Sequence, residues 1–126
     1  MRRMLHAAAL ALGMAAAAPV LAHHSIGLYD TGNLVTLEGV VTRVEWTSPH
    51  VFVYFRVTAE DGGSAEWSME LDPPVLLRRY GWSRDMVKEG DTLMATGAPA
   101  KSGAAAMRGA IVVLADGTQL RVWSRV

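Results

Sequence analysis

The strongest constraint on the fold is a strictly alternating segment, VFVYFRV at residues 51–57. Successive side chains of a strand point to opposite faces, so this alternation predicts a strand with one buried face and one outer face. The outer face would carry Phe52, Tyr54 and Arg56. The segment AEWSMEL alternates in the same way, with tryptophan, methionine and leucine on its apolar side. The sequence therefore predicts a β-rich domain.

The preceding segment, NLVTLEGVVTRVEW, also alternates, but its apolar residues change from odd-numbered to even-numbered positions part-way along. Val35 and Leu37 are odd-numbered, whereas Val40 and Val44 are even-numbered, and Gly39 lies at the changeover. A glycine where the facing of a strand changes is typical of a β-bulge. We therefore expect a bulge at Gly39, with the valines and the leucine on both sides of it facing the same interior.

The helical signal lies between the third and fourth strands. Asp72 fits an N-cap, Pro73 fits the first helical position and Gly81 fits the stop. TLMATG then predicts a fourth strand, and AIVVLADGTQLRVW predicts a hairpin with an Asp-Gly turn. This order predicts an all-β, OB-like Greek-key barrel of five to six strands, with one short helix between strands three and four. A two-sheet sandwich is the alternative, and the position of the helix counts against it.

The first 22 residues have the composition of a secretory signal. Two arginines open the segment, an alanine- and leucine-rich run without acidic residues follows, and VLA ends it as a small-x-small box. We expect cleavage between Ala22 and His23, because Pro19 disfavours the earlier site after Ala18. The apolar run is shorter than the roughly 20 residues of a membrane span. We therefore expect a periplasmic or secreted protein without a membrane span after processing.

The mature chain, residues 23–126, has the length of a single domain, in which residues 23–33 would form an N-terminal extension to the barrel. The whole chain carries 12 basic and 12 acidic residues, and the loss of the two leader arginines leaves a slight acidic excess. Proteins that bind nucleic acid are normally strongly basic, so we expect no nucleic-acid partner. The chain has no cysteine and must rely on its core rather than on disulfides.

Several motifs resemble one family of small exported bacterial proteins. They are AHHS at the expected cut, WTSPH before the second strand, and EWS with a following GW. That family is catalogued as a domain of unknown function, so the resemblance implies an exported barrel and supplies no activity. The family usually has asparagine where this chain has Ser48 before the proline, and where that asparagine matters the resemblance implies a weaker or different contact here. The chain is more distantly similar to periplasmic OB-fold proteins that carry copper or bind small ligands.

Histidines form the candidate metal site. After cleavage, the α-amine and the imidazole of His23 can chelate one metal ion, since an α-amine with a pKa of about 8 gives up its proton to a metal. An imidazole from His24 or His50 would complete a nitrogen set that suits Cu(II) better than zinc. Pro49 fixes the chain as it enters the second strand, which favours His50. We predict copper binding by His23, His24 and His50. The alternative is a solvated tail and a histidine that caps a strand edge.

The outer aromatic face is the alternative binding site. Phe52, Tyr54 and Arg56 can form a ligand or partner surface, because OB barrels often stack ligands on this sheet. The protein would then be a metal-free adaptor that binds an envelope protein or a glycan. A sheet face that is half-covered by a loop is the purely structural interpretation.

Catalysis has little support in the sequence. It contains no cysteine nucleophile, no zinc-protease helix motif and no recognisable nucleophile turn. Four glutamates lie at strand positions that are predicted to face outward, where a charged side chain is usually just exposed to solvent: Glu38, Glu45, Glu66 and Glu70. We therefore expect a binding protein rather than an enzyme.

Overall fold

The structure, a computed structural model, describes residues 26–122. The predicted leader, His23 and His24 lie outside the described residues. The first described element is a short 3₁₀ turn, Ile26–Leu28. In chain order, the strands and the helix are β1 (Val35–Glu45), β2 (Phe52–Thr58), β3 (Ser64–Glu70), α1 (Pro74–Arg79), β4 (Thr92–Pro99), β5 (Ala106–Leu114) and β6 (Gln119–Arg121).

Pairing between β3 and β5 closes the sheet into a barrel. The strands follow the order β3-β2-β1-β4-β5-β6, and a parallel ladder of Ser68 to Glu70 with Ala106 to Arg108 joins β3 to β5. The other strand pairs are antiparallel. Five strands thus form a closed barrel and β6 is an extra strand beside β5. This arrangement, with the helix between β3 and β4, confirms the predicted OB-like barrel.

β1 contains a bulge, but not at the predicted residue. Its pairing with β4 continues without a break through Gly39, whereas its register with β2 shifts between Val41 and Arg43. Thr42 is therefore the extra residue of the bulge. Val40, which we expected in the interior, is 45% exposed. The prediction of a bulge at Gly39 is wrong.

Gly39 serves close packing instead. A Cβ atom at this position would lie 2.7 Å from both Cδ2 of Phe55 and the carbonyl oxygen of Arg56, which is too close for any real side chain. Phe55 is fully buried and is the largest of the fully buried side chains. The missing side chain of Gly39 therefore makes room for this ring in the core.

The core fills the barrel and extends beneath α1. Alternate residues of the strands supply most of it, and α1 contributes Leu77. Met69 is fully buried and Trp67 packs against the same cluster, which confirms their predicted place on the apolar face of β3. Trp82, which follows the helix, donates its indole N–H to the carbonyl oxygen of Arg121 at 2.7 Å. This bond fixes the helical turn against β6.

α1 begins one residue later than the sequence predicts. Its N-cap is Pro73, which has no side-chain capping bond, and Asp72 is not the cap because its carboxylate pairs with Arg108 of β5. The helix ends at Arg79 with Tyr80 as its C-cap, and Gly81 follows with φ of +93°, as expected for a glycine that stops a helix. Within residues 26–122, no helix has the length and apolarity to cross a membrane.

Candidate functional site

The segment that precedes β1 is held against the barrel wall. We call residues 26–30 the N-terminal strap. Tyr29 of the strap forms an antiparallel bridge with Ala100, and the backbone N–H of Lys101 donates to the carbonyl oxygen of Leu28 at 2.9 Å. The strap therefore lies along the loop that joins β4 to β5, close to the seam where β3 meets β5.

Glu70, at the end of β3, is the polar centre of this seam. It is only 6% exposed, so its predicted place on a solvated face is wrong. β5 pairs with the last residues of β3, and the strap reaches over the same edge. The hydroxyl of Tyr29 donates to Oε2 of Glu70 at 2.9 Å, and Nη1 of Arg108 donates to the carbonyl oxygen of Glu70 at 3.1 Å.

His50 contacts the second oxygen of the same carboxylate. Its Nδ1 lies 3.0 Å from Oε1 of Glu70, and its side chain is 17% exposed. The buried Oε1 accepts no hydrogen bond from residues 26–122, so this contact is a close approach of the imidazole rather than a formed hydrogen bond. The peptide bond between Ser48 and Pro49 is cis. The two oxygens of the Glu70 carboxylate therefore contact an imidazole from the β1–β2 connection and a phenol from the strap.

A buried ion pair lies beside this carboxylate. Arg108 pairs with Asp72, and both side chains are nearly inaccessible to solvent. Arg108 therefore offsets part of the negative charge that Glu70 and Asp72 bring into a dry region. Burial, followed by the hydrogen bond to Glu70 and its charge, raises the pKa of Tyr29 far above the usual range of a tyrosine, while Arg108 acts in the opposite direction. Tyr29 therefore remains a neutral donor to Glu70.

The predicted aromatic surface lies on the outer face of β2, and the chain itself covers part of it. Phe52 and Tyr54 are half-buried and stack with ring centroids 6.3 Å apart, whereas Arg56 is exposed. The guanidinium of Arg43 lies 3.8 Å from the centroid of the Tyr54 ring, which is a cation–π contact. The Tyr54 hydroxyl donates to Glu45 at 3.4 Å, a long and weak bond.

Of the predicted metal ligands, only His50 lies in the described part of the chain. Residues 26–122 contain no group of three or more histidine, cysteine, aspartate or glutamate side chains placed to hold a metal ion. Sequence reasoning missed Tyr29 and Arg108 and took Glu70 for a solvated residue. Nothing local in the sequence marks them, since their partners are about 40 residues away along the chain.

The model of a protein family of unknown function, DUF6152, matches residues 11–109. The chain belongs to this family. The match includes the strap, the first four strands and Arg108, and it ends within β5. The predicted membership in a family of unknown function is thereby confirmed, and membership in DUF6152 assigns no activity. No curated protein matches the chain.

Proposed function

We propose that the protein is an exported binding protein that holds a copper ion between its processed N-terminus and His50. The observation that carries this proposal is the meeting of His50 and the N-terminal strap on one carboxylate, that of Glu70. The strap leads back along the chain to His23 and His24. The expected periplasmic location and the expected cleavage after Ala22 belong to the same proposal.

Chain length supports this arrangement. His23 precedes Ile26, the first residue of the strap, by three positions. A fully extended chain spans at most 3.3–3.6 Å per residue, so His23 lies within roughly 11 Å of Ile26. Tyr29 ties the strap to the carboxylate that also contacts His50, and we propose that the new N-terminus reaches the same imidazole.

The chemistry of the donors favours copper. The α-amine and imidazole of His23, with the imidazole of His50, would supply three nitrogen ligands, and His24 is a further candidate. Such a set suits the tetragonal geometry of Cu(II), whereas zinc prefers a tetrahedral site. The carboxylates of Glu70 and Asp72 outnumber the guanidinium of Arg108 nearby, so the local charge also favours a cation.

The metal-free adaptor remains the alternative proposal. It rests on Phe52, Tyr54 and Arg56 as a surface for an envelope protein or a glycan. Arg43 already lies over the Tyr54 ring, so a partner would have to displace it or stack on its far side. We therefore prefer the histidine site.

Copper titrations of three variants test the proposal. The mature protein, which begins at His23, is compared with a variant that carries one extra glycine ahead of His23 and with His50→Ala. We expect both to bind Cu(II) more than tenfold more weakly, which corresponds to about 1.4 kcal/mol. A loss of most of the affinity in His24→Ala would indicate a flexible two-residue chelate instead. Equal affinity of the extended and mature proteins would refute the proposal.

A further inference from the structure

We propose that Glu70 is a positioning residue that holds the hydrogen of His50 on Nδ1, so that Nε2 is the nitrogen offered to a ligand. Through its other oxygen, Glu70 fixes the N-terminal strap beside that imidazole. The part of this inference that concerns copper rests on the proposed function. The part that concerns the metal-free protein rests only on the contacts of Glu70.

The first step concerns Oε1 of Glu70. This atom is buried and accepts no hydrogen bond from residues 26–122, and Nδ1 of His50 lies 3.0 Å from it. A buried carboxylate oxygen without a donor is costly, because it has lost its hydrogen bonds to water. A neutral imidazole carries a single N–H. A hydrogen on Nδ1 is therefore favoured, because from 3.0 Å it can donate to Oε1, and this leaves the lone pair on Nε2.

The second step concerns Nε2 of His50. It forms no hydrogen bond with any residue of the described chain. Histidines that bind metals usually donate their other N–H to a carboxylate or a carbonyl, which fixes the ring and makes the ligating nitrogen more basic. The 3.0 Å approach of Glu70 Oε1 to Nδ1 of His50 places a carboxylate where it can play this part.

The third step concerns Oε2 of Glu70. It accepts the Tyr29 hydroxyl at 2.9 Å, and Tyr29 has little exposure to solvent. The imidazole and the strap are therefore held by separate oxygens of one side chain. A substitution that changes one oxygen at a time can separate the two roles.

Glu70→Gln provides such a change. The Tyr29 hydroxyl is a donor, so the amide oxygen of a glutamine would face Tyr29 and the amide NH₂ group would face His50. This group is a donor and requires a lone pair on Nδ1. The substitution should therefore move the imidazole hydrogen to Nε2, which removes the ligating lone pair while the side-chain volume is kept.

Nitrogen-15 NMR of the metal-free mature protein tests the tautomer directly, at a pH where the imidazole is neutral. We expect Nδ1–H at His50 in the wild type and Nε2–H in Glu70→Gln. Glu66→Gln is the matched control, because Glu66 lies on the same strand but is exposed and bonds Thr42 at 2.7 Å. It should leave the tautomer unchanged. Nε2–H in the wild type would overturn the inference, whether or not Glu70→Gln folds.

Copper titrations separate this inference from the proposed function. We expect Glu70→Gln to bind Cu(II) about 10–100-fold more weakly, as is usual when the partner of a ligating histidine is changed. Tyr29→Phe should weaken binding while leaving the tautomer as Nδ1–H. If the wild type shows Nδ1–H but binds no copper, the proposed function fails and the role of Glu70 stands. If it binds copper with Nε2–H in the metal-free state, the role of Glu70 fails and the proposed function stands.

Discussion

Replacing Tyr29 by phenylalanine removes one hydroxyl group from the centre of the site. That hydroxyl donates to Oε2 of Glu70 at 2.9 Å, and Tyr29 and Glu70 are 9% and 6% exposed. A hydrogen bond to a charged group contributes about 1.5–3 kcal/mol, and little water can replace this donor in Tyr29→Phe. We expect the free energy of unfolding to fall by about 2 kcal/mol at neutral pH. Urea unfolding followed by tryptophan fluorescence measures it.

The same variant has a characteristic dependence on pH. Burial, and then the hydrogen bond to Glu70, raises the pKa of Tyr29 in the folded protein, so that the folded state holds the phenolic proton more tightly than the unfolded chain does. The resulting stability is complete below about pH 10, the ordinary pKa of tyrosine, and is lost as the pH rises above it. The difference in stability between the wild type and Tyr29→Phe should therefore shrink in alkaline solution.

Tyr54→Phe is the matched control for this measurement. The Tyr54 hydroxyl lies 3.4 Å from Glu45 on the half-exposed outer face, so its removal should change stability by less than about 0.5 kcal/mol. A loss below about 0.5 kcal/mol in Tyr29→Phe at neutral pH would refute the role assigned to the Tyr29–Glu70 bond. A difference that stays constant through the alkaline range would refute the assigned pKa shift.

Three further predictions concern packing, the buried ion pair and the outer face. A Cβ at Gly109 would lie 2.7 Å from the nearest side-chain carbon, so Gly109→Ala should lower the free energy of unfolding in urea by about 1–3 kcal/mol. At Gly27 a Cβ would have no atom within 4 Å, so the control Gly27→Ala should cost less than about 0.5 kcal/mol. Arg108→Met leaves Asp72 buried without its partner and should lower the free energy of unfolding by about 3–5 kcal/mol. Adding Asp72→Leu to the same chain removes the unpaired charge and should restore most of that loss. If the outer face binds an envelope protein, Tyr54→Ala should abolish its capture at a cost of only about 1 kcal/mol, from the lost ring contacts with Arg43 and Phe52, and a loss of several kcal/mol would identify Tyr54 as a structural residue.

The strands could be predicted because their signal is local. Alternation over a few residues decides which side chains of β2 and β3 face the core, and the structure confirms both patterns except at Glu70, which is buried. The bulge of β1 could not be placed in this way. Val40 and Val41 are adjacent and both apolar, so the sequence allows either of them to face the core. Only the register with β2 shows that Val41 does so. The sequence therefore indicates that a bulge is needed but not which residue forms it.

The site could be predicted only in part, because long-range pairing creates it. Glu66 and Glu70 lie four residues apart on the same face of β3, yet Glu66 is exposed and Glu70 is buried. The difference arises because β5 pairs with the last three residues of β3 and leaves Glu66 uncovered. The chemistry of His50 is enough to make it a candidate ligand, and that candidacy stays a prediction. Its partner could not be predicted in this way, because contacts between distant parts of the chain decide which carboxylate meets the imidazole.

The most direct test of the copper proposal is a crystal structure of the mature protein with one equivalent of Cu(II). We expect the ion to be bound by the α-amine and imidazole of His23 and by Nε2 of His50, with Nδ1 of His50 still on Glu70. Copper held by His23 and His24 without His50, or by Nδ1 of His50 in place of the Glu70 contact, would contradict the proposal.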